Sequence, residues 1–373
     1  MDFSLSEEQQ MLVDSTRIFV REKLANRTES FNSYDPALLN EIANLGYCGV
    51  TTPVEYNGAG FDSLCLALVV EEIAKVDPAM AARIAETAGP VQHALITFGS
   101  EQQKLITENL AAGTKWGTVA LWEPEMNQLT EKMCTIAKKS GDSWVLNGTK
   151  SHVINAPNAD VYLVVAAIDN SDSDDSWIAF LIDKNQSGLH FNQVTATAGT
   201  QPLSISHLEF ENCKLPKNSV IGTVELGKQI VKSIIADTHM LLAANALGVA
   251  EGALELAEEY ASVRVQFGKA IVSFEAIRGM LADMAAHIEA VRLLVYRAAE
   301  KRGDGKLSAM AKLVACNTAS LCVHKSNQIH GGYGYMRDYA IEFLYRDQLF
   351  SELFWNNPNQ LRSEIADAVT QNS

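Results

Sequence analysis

The residues with the most defined chemistry in this chain lie in its C-terminal third. Arg264 is part of the string RVQFGK, and Gly331 and Gly332 are part of QIHGGYGY. An arginine guanidinium matches phosphate oxygens through its charge and its fork of donors, and glycine lets a backbone approach a ligand closely. Each also has a purely structural explanation, because the arginine could form a surface ion pair and the glycines could end a helix. From these residues alone, both explanations stay open.

Cysteine and histidine are the other residue types that could form a site. The six cysteines contain no CxxC and no His/Cys pairing at metal-binding intervals, so we predict no metal site, no disulfide framework and a reducing compartment. His152 on its own is more typical of a hydrogen-bonded histidine in a β domain than of a catalyst. The cysteines are Cys48, Cys65, Cys134, Cys213, Cys316 and Cys322.

The net charge and the N-terminal residues limit the classes of partner and the location that we expect. The chain has 373 residues and a formal net charge of -15 at pH 7, which disfavours nucleic acid and anionic membranes as partners because both attract basic proteins. The start, MDFSLSEEQQ, lacks the basic and apolar regions of a signal peptide, and no apolar run reads as long enough to span a membrane. We therefore predict a cytoplasmic protein.

Hydrophobic periodicity predicts the elements that position these residues. Ser4 and Glu7 have the spacing of a capping box, which predicts an opening helix, and helical periodicity continues to about residue 112 with a loop at PVEYNGAG. From about Thr114 to Gly222, short β-rich runs such as VYLVVAAI and WIAFLI alternate with polar turns such as DNSDSDDS. These runs predict a β domain.

After Gly222 the helical period returns, with an interruption at RGDGK, residues 302–306. Helices, then strands, then helices indicate an α+β chain in which a helical bundle is interrupted by a β domain. The predicted domains are an N-terminal helical domain at 1–113, a middle β domain at 114–224 and a C-terminal helical domain at 225–373.

Five strings, in order along the chain, resemble the acyl-CoA dehydrogenase family over essentially its whole length. They are GYCGVTTPVEYNGAG, WEP at 122–124, LNGTK followed by NAD at 158–160, RVQFGK and QIHGGYGY. The resemblance implies an N-terminal helical domain, a middle β domain and a C-terminal four-helix bundle. It also implies a tetramer built as a dimer of dimers, FAD held between the β domain and the C-terminal helices, acyl-CoA as substrate and an electron-transferring flavoprotein as acceptor.

In that family a glutamate removes the α-proton of the acyl-CoA thioester, and this chain departs from the pattern there. Alignment on Arg346 and Asp347 puts Trp355 at the usual base position, and the position that a minority of members use is Thr238. We therefore predict no catalytic residue in this chain. Whether a neighbouring carboxylate replaces the base stays open, and the candidates are Asp237, Glu352, Glu123 and Glu125.

The flavin contacts implied by the resemblance divide into two sets. The residues that grip the ring in a member's own subunit are altered, since the corresponding positions are Trp122, residues 127–129 (Asn, Gln, Leu) and residues 152–154 (His, Val, Ile). The residues that members send to a neighbour's FAD are retained, apart from Glu275, where many members have glutamine. This predicted FAD-binding set comprises Arg264, Phe267, Gln328, Gly331 and Gly332.

Three functional hypotheses follow. The first is a subunit without its own base that helps a paired catalytic subunit bind FAD in an α2β2 heterotetramer; such assemblies, with half the active sites, are known among family members that degrade steroid side chains. The alternative is an active homotetrameric FAD-dependent dehydrogenase with a displaced base, or a monooxygenase-type relative. The third is a cofactor-free structural or acyl-CoA-binding protein. Loss of the ring contacts argues against the second, and retention of Arg264 argues against the third.

Overall fold

The computed structural model describes residues 4–24, 36–124, 126, 133–169, 176–192 and 194–370. Its N-terminal part is helical: α1 Glu7–Phe19, α2 Pro36–Asn44, α3 Ser63–Ala74, α4 Pro78–Glu86, α5 Gln92–Phe98 and α6 Glu101–Ala111. The predicted opening helix is present, but its cap is Ser6 with Gln9 and not Ser4 with Glu7. The Ser6 hydroxyl accepts from the Gln9 N–H, and the Gln9 side chain accepts from the Ser6 N–H.

A β-sheet follows and forms the middle of the chain. Its strands are β1 Gly117–Ala120, β2 Ile136–Ser140, β3 Ser143–Val153, β4 Val161–Ile168, β5 Trp177–Asp183, β6 Leu189–Phe191 and β7 Ser206–Pro216. The order is β1-β4-β2-β3-β7-β6, with β5 paired to β4. β4 lies parallel to β1 and β2, whereas the β2–β3 and β3–β7 pairs are antiparallel. The runs VYLVVAAI and WIAFLI become β4 and β5, as predicted, and the turn at 170–175 lies outside the described residues.

Long helices form the C-terminal part. They are α7 Gly227–Val263, α8 Glu275–Glu300, α9 Gly305–His330, α10 Ala340–Leu353 and α11 Pro358–Thr370, and a short hairpin of β8 Val265–Gln266 and β9 Lys269–Ala270 joins α7 to α8. The predicted interruption at RGDGK separates α8 from α9. The N-terminal helices, the middle sheet and these C-terminal helices form the three-part arrangement that the resemblance implied.

Helix α7 connects the two main apolar cores. Its residues Met240 and Leu247 belong to a core shared with the N-terminal helices and with α8 and α9, whereas Ile234 and Leu242 belong to a core shared with the sheet. One sequence-based expectation needs correction here, because the stretch Val224–Val263 is long and apolar enough to cross a membrane. Most of that stretch is buried inside the structure, as a core helix is.

Candidate functional site

Trp355 lies in a tight turn directly after α10. The helix ends at Leu353, and Trp355 and Asn356 both have left-handed backbone angles, with φ of +50° and +76°. Such angles are uncommon for residues other than glycine and are strained for a bulky residue. The Trp355 side chain is nevertheless buried, in the core between α7 and the sheet. The position predicted for a catalytic glutamate is therefore part of the packed interior.

Trp122 meets Trp355 from the β domain. The two rings lie 6.5 Å apart between centroids at an interplanar angle of 88°, an edge-to-face contact. Such contacts add stability beyond the area they bury. Trp122 is half-buried, and its indole N–H has no hydrogen-bond partner among the described residues. The resemblance placed both residues at a flavin and substrate site, and the structure brings their side chains into contact with each other.

Glu123, the residue after Trp122, is fixed by three hydrogen bonds to its carboxylate. Its carboxylate accepts from the Lys150 ammonium at 2.7 Å and from the backbone N–H groups of Cys134 and Thr135. Burial alone would raise the pKa of Glu123, but Lys150 and the backbone donors together lower it. A carboxylate held in this way is a structural ion-pair partner and not a free base. The geometry therefore argues against Glu123 as a replacement for the catalytic base.

The other candidate replacements differ in their surroundings. Asp237 forms a bidentate pair with Arg302, at 2.9 Å for Nε–Oδ1 and 2.5 Å for Nη2–Oδ2. Glu352 lies in the last turn of α10, three residues before Trp355. Its charge helps to raise the pKa of the buried Cys316 thiol. Glu125 lies outside the described residues.

Thr238, the second predicted base position, lines a very small cavity. The cavity has a volume of about 10 Å³. The Thr238 hydroxyl donates to the carbonyl of Ile234 at 2.8 Å, and Ile154 of the β domain and Glu86 of α4 also line the cavity. A volume of this size is about that of one water molecule, so it leaves no room for an acyl group.

Glu86 is a buried carboxyl that the sequence reasoning missed. It accepts hydrogen bonds from the Val119 N–H at 2.8 Å and from the Thr118 hydroxyl at 3.3 Å. Burial raises its pKa to about 7, against the lowering effect of those donors. The only signal in the sequence was a single glutamate in the apolar run MAARIAETAG, which does not by itself distinguish a buried carboxyl from an exposed one.

The residues predicted to contact the ring from β3 differ in their placement. His152 is exposed, with a left-handed φ of +52°, and its ring lies 5.2 Å from that of His207. Val153 and Ile154 are buried in separate cores. The three residues at 127–129 lie outside the described residues.

The retained set lies on an open surface far along α7 and α9. Arg264 follows the end of α7 and stacks over the Tyr333 ring at 5.4 Å, and among the described residues its guanidinium forms no ion pair. Arg264, Gly331 and Gly332 line one open cavity of about 490 Å³. The sequence left open that Arg264 forms an ordinary surface ion pair, and within the described part of the chain it forms none.

In QIHGGYGY, Gly331 ends a helix, and both Gly331 and Gly332 border open space. Gly331 ends α9, its N–H donates to the carbonyls of Asn327 and Gln328, and its φ is +59°. A Cβ added at Gly331 or Gly332 would meet nothing within 4 Å. Ending the helix thus explains Gly331 in part, but neither glycine is required by packing inside the described chain.

Phe267 is the most exposed large apolar side chain of this surface. It lies at the tip of the β8–β9 hairpin, with 93% of its surface exposed, a φ of +52° and only an edge contact to Phe274. Gln328 is exposed on α9, and Glu275 is exposed at the start of α8. Fully exposed aromatic residues in strained turns are typical of contact sites, and Tyr335 nearby is 89% exposed.

Family models match three consecutive parts of the chain. They are the acyl-CoA dehydrogenase N-terminal domain at residues 6–113, the middle domain at 118–213 and the C-terminal domain at 226–369. Among curated relatives, the short-chain specific acyl-CoA dehydrogenase of Megasphaera elsdenii is 34% identical over 366 residues, covering 95% of this chain and 96% of the relative. An acyl-CoA dehydrogenase of Bacillus subtilis is 33% identical over 358 residues, covering 94% of each.

Solved structures agree with these matches. Butyryl-CoA dehydrogenase from Megasphaera elsdenii has a TM-score of 0.94 at 33% identity, covering 99% of this chain and all of that one. A chain in a structure of the electron transferring flavoprotein of Acidaminococcus fermentans has a TM-score of 0.94 at 34% identity, covering 99% of both chains. An acyl-CoA dehydrogenase from Bacillus anthracis, solved in complex with FAD, has a TM-score of 0.91 at 27% identity, covering 99% of this chain and 68% of that one. This chain belongs to the acyl-CoA dehydrogenase family of flavoproteins.

Proposed function

We propose that this chain is the subunit without a base in a heteromeric acyl-CoA dehydrogenase. It assembles as α2β2 with a paired chain that supplies the catalytic glutamate, and it contributes Arg264, Phe267, Gln328, Gly331 and Gly332 to FAD bound by that partner. The paired chain then carries out α,β-dehydrogenation of an acyl-CoA, and an electron-transferring flavoprotein is the proposed acceptor.

The observation that carries this proposal is the state of Trp355. A buried tryptophan in contact with Trp122 occupies the base position. Glu123 and Asp237 are tied to Lys150 and Arg302. Proton abstraction requires a base within hydrogen-bond reach of the substrate carbon acid, and a base engaged in a buried ion pair cannot supply that reach.

The two halves of the proposed FAD contact fit the cofactor differently. The Arg264 guanidinium and the glycines beside it form an open cavity that suits the phosphates and backbone of a dinucleotide, which needs a charged fork and close backbone approach. At the ring half, Trp122 and Trp355 fill space, and Ile154 is apolar where the family pattern has a hydroxyl. The first half supports binding of FAD shared with a partner, and the second half does not support a ring bound by this chain alone.

In such a heteromer the catalytic partner largely determines which acyl-CoA is the substrate. We propose a bulky acyl-CoA, such as a steroid side-chain thioester, or a fatty acyl-CoA, because the family's known heteromeric members act on the former. We also propose a cytoplasmic location.

The experiment that tests the proposal is visible absorbance of the protein purified alone and after co-expression with the acyl-CoA dehydrogenase encoded beside its gene. We expect the lone protein to be colourless, and the co-purified complex to carry flavin at about half the number of chains. Stoichiometric flavin in the lone protein, bleached by an acyl-CoA, would contradict the proposal and favour the active homotetramer. A colourless protein that co-purifies with no partner would favour the cofactor-free hypothesis.

A further inference from the structure

Lys312, in the middle of α9, has an unusual set of partners. Its side chain is completely buried, and its ammonium donates to three consecutive backbone carbonyls, those of Phe354, Trp355 and Asn356, at 2.5 Å for Trp355 and 2.8 Å for Asn356. It makes no ion pair within the described part of the chain. All of its donors therefore go to the turn that carries Trp355.

A buried ammonium without a carboxylate is costly. Burial lowers the pKa of Lys312 to about 8, because the charged form loses its hydration. Three carbonyl acceptors use all three donors of the ammonium, which is the arrangement that makes such burial tolerable. An apolar residue at this place would avoid the cost but would leave the carbonyls of Phe354 and Asn356 without this donor.

The turn supplies its side of the contact through its backbone. Consecutive left-handed residues, Trp355 and Asn356, turn their carbonyls toward α9. His239 of α7 adds a further contact, with its Nε2 3.0 Å from the Trp355 oxygen. Since that oxygen is an acceptor, Nε2 carries the proton. Burial is the main cause, and the positive charge of Lys312 the second, that holds the pKa of His239 well below its usual value.

The other end of the turn is tied to α11. The Asn356 side-chain amide donates to Glu364 at 3.2 Å, and the same carboxylate lies 4.0 Å from Nδ1 of His239. The turn makes its own contacts through its backbone carbonyls or through the Asn356 side chain. None of them uses the Trp355 indole.

We propose that Lys312 is a positioning residue that holds the turn at 354–356 in place. The held turn keeps a pocket for an aromatic ring facing Trp122, called the seat below, whether or not the Trp355 indole fills it. This inference does not depend on the proposed function, because it concerns only contacts within this chain. It predicts that the seat survives removal of the indole as long as Lys312 is present.

The test is Trp355→Gly with added indole. Glycine suits the left-handed angle at this position, so the substitution empties the seat without adding backbone strain. Apolar cavities made by truncation in a rigid surrounding bind small apolar rings. We expect indole to raise the Tm of Trp355→Gly by about 2 °C or more, through its binding to the folded state, and to leave the wild type unchanged.

The role of Lys312 is tested by adding a second substitution. In Trp355→Gly with Lys312→Met we expect no indole-dependent rise in Tm, because the turn is released. In the matched control, Trp355→Gly with Lys325→Met, the rise should persist, since Lys325 is on the same helix but pairs with Asp283 at the surface. An equal rise in the Lys312 double variant, or no rise in Trp355→Gly itself, would overturn the inference.

A second measurement covers the case in which the double variant does not fold. In Lys312→Met alone, the fluorescence contributed by Trp355 is obtained by subtracting the signal of the same variant with Trp355→Phe. We expect acrylamide to quench this contribution at least about twofold more than in the wild type, since a released turn exposes the ring to solvent. Unchanged quenching in a folded Lys312→Met protein would overturn the inference.

Discussion

The turn around Trp355 and the surface around Arg264 have opposite character. The first is closed: two tryptophans touch, a cavity of about 10 Å³ remains beside Thr238, and two buried lysines brace the backbone on either side. The second is open, with a cavity of about 490 Å³ and an aromatic side chain at Phe267 that is 93% exposed. The first region is packed within this chain, and the second is the surface that we propose to contact a partner's FAD.

This difference argues against decay as the reason for the proposed absence of a base. The closed region is densely hydrogen-bonded, since Lys150 and Lys312 are both fully buried and both satisfied. A site that merely lost its function would not be expected to keep buried charges with good partners, because such groups are costly when their partners drift. The predictions below test how much the closed region depends on this bracing.

The largest expected effect comes from Lys150→Met. The substitution leaves the buried Glu123 carboxylate without its cation, which typically costs about 3–5 kcal/mol of unfolding free energy. Urea denaturation followed by circular dichroism measures it, and Lys139→Met, at an exposed position of β2, is the control. A loss below about 1 kcal/mol would mean that the segment carrying Trp122 is not braced by this pair.

The next effect is a change in pH dependence in Glu86→Gln. The folded-state pKa of Glu86 is about 7, above the ordinary value of 4.5. The folded carboxyl therefore stays protonated while the unfolded one ionises, so this group lowers stability as the pH rises from about 4.5 to about 7. Relative to Glu86→Gln, the wild type should lose on the order of 3 kcal/mol across that window.

Chemical denaturation at pH 4.5, 6 and 8 measures this difference. The control is Glu258→Gln, which removes a carboxyl at an exposed position of α7. Other buried carboxyls titrate equally in wild type and variant and cancel in the comparison. A pH-independent difference for Glu86→Gln would show that this carboxyl is not desolvated beside the closed cavity.

The smallest effect is the coupling between the two tryptophans. A double-mutant cycle with Trp122→Phe and Trp355→Phe should give a coupling of about 1 kcal/mol, the usual size for an edge-to-face pair. Unfolding free energies from urea titrations supply the four corners of the cycle. A coupling indistinguishable from zero would mean that the rings are neighbours without holding the β domain against α7.

The family motifs pointed to Trp355 and Thr238 through the anchor at Arg346 and Asp347, and the structure places both residues in the closed region. That these are the family's base positions stays a prediction. The order of helices and strands was also predictable, since it depends on local periodicity. The capping residue of α1 was misplaced because Ser4–Glu7 and Ser6–Gln9 have the same spacing, and only the structure distinguishes them.

The bracing of the turn was beyond the sequence. Lys312 reaches carbonyls more than forty residues away, and His239 reaches the Trp355 carbonyl from more than a hundred. Backbone carbonyls have the same chemistry at every residue, so no residue type in the turn marks it as the partner of a lysine. A lysine within the apolar run LSAMAKLVA was the only available signal, and it does not tell a buried ammonium from one that extends to solvent.

The measurement that tests the central claim most directly is the flavin content of the co-purified complex with Arg264→Ala in this chain only. Because charge-assisted contacts to phosphate are strong, we predict at least about tenfold weaker flavin retention, with assembly of the two chains unchanged on size-exclusion chromatography. Arg362→Ala, at an exposed position of α11, should retain full flavin. Full flavin occupancy in the Arg264→Ala complex would contradict the claim that this chain completes a partner's site.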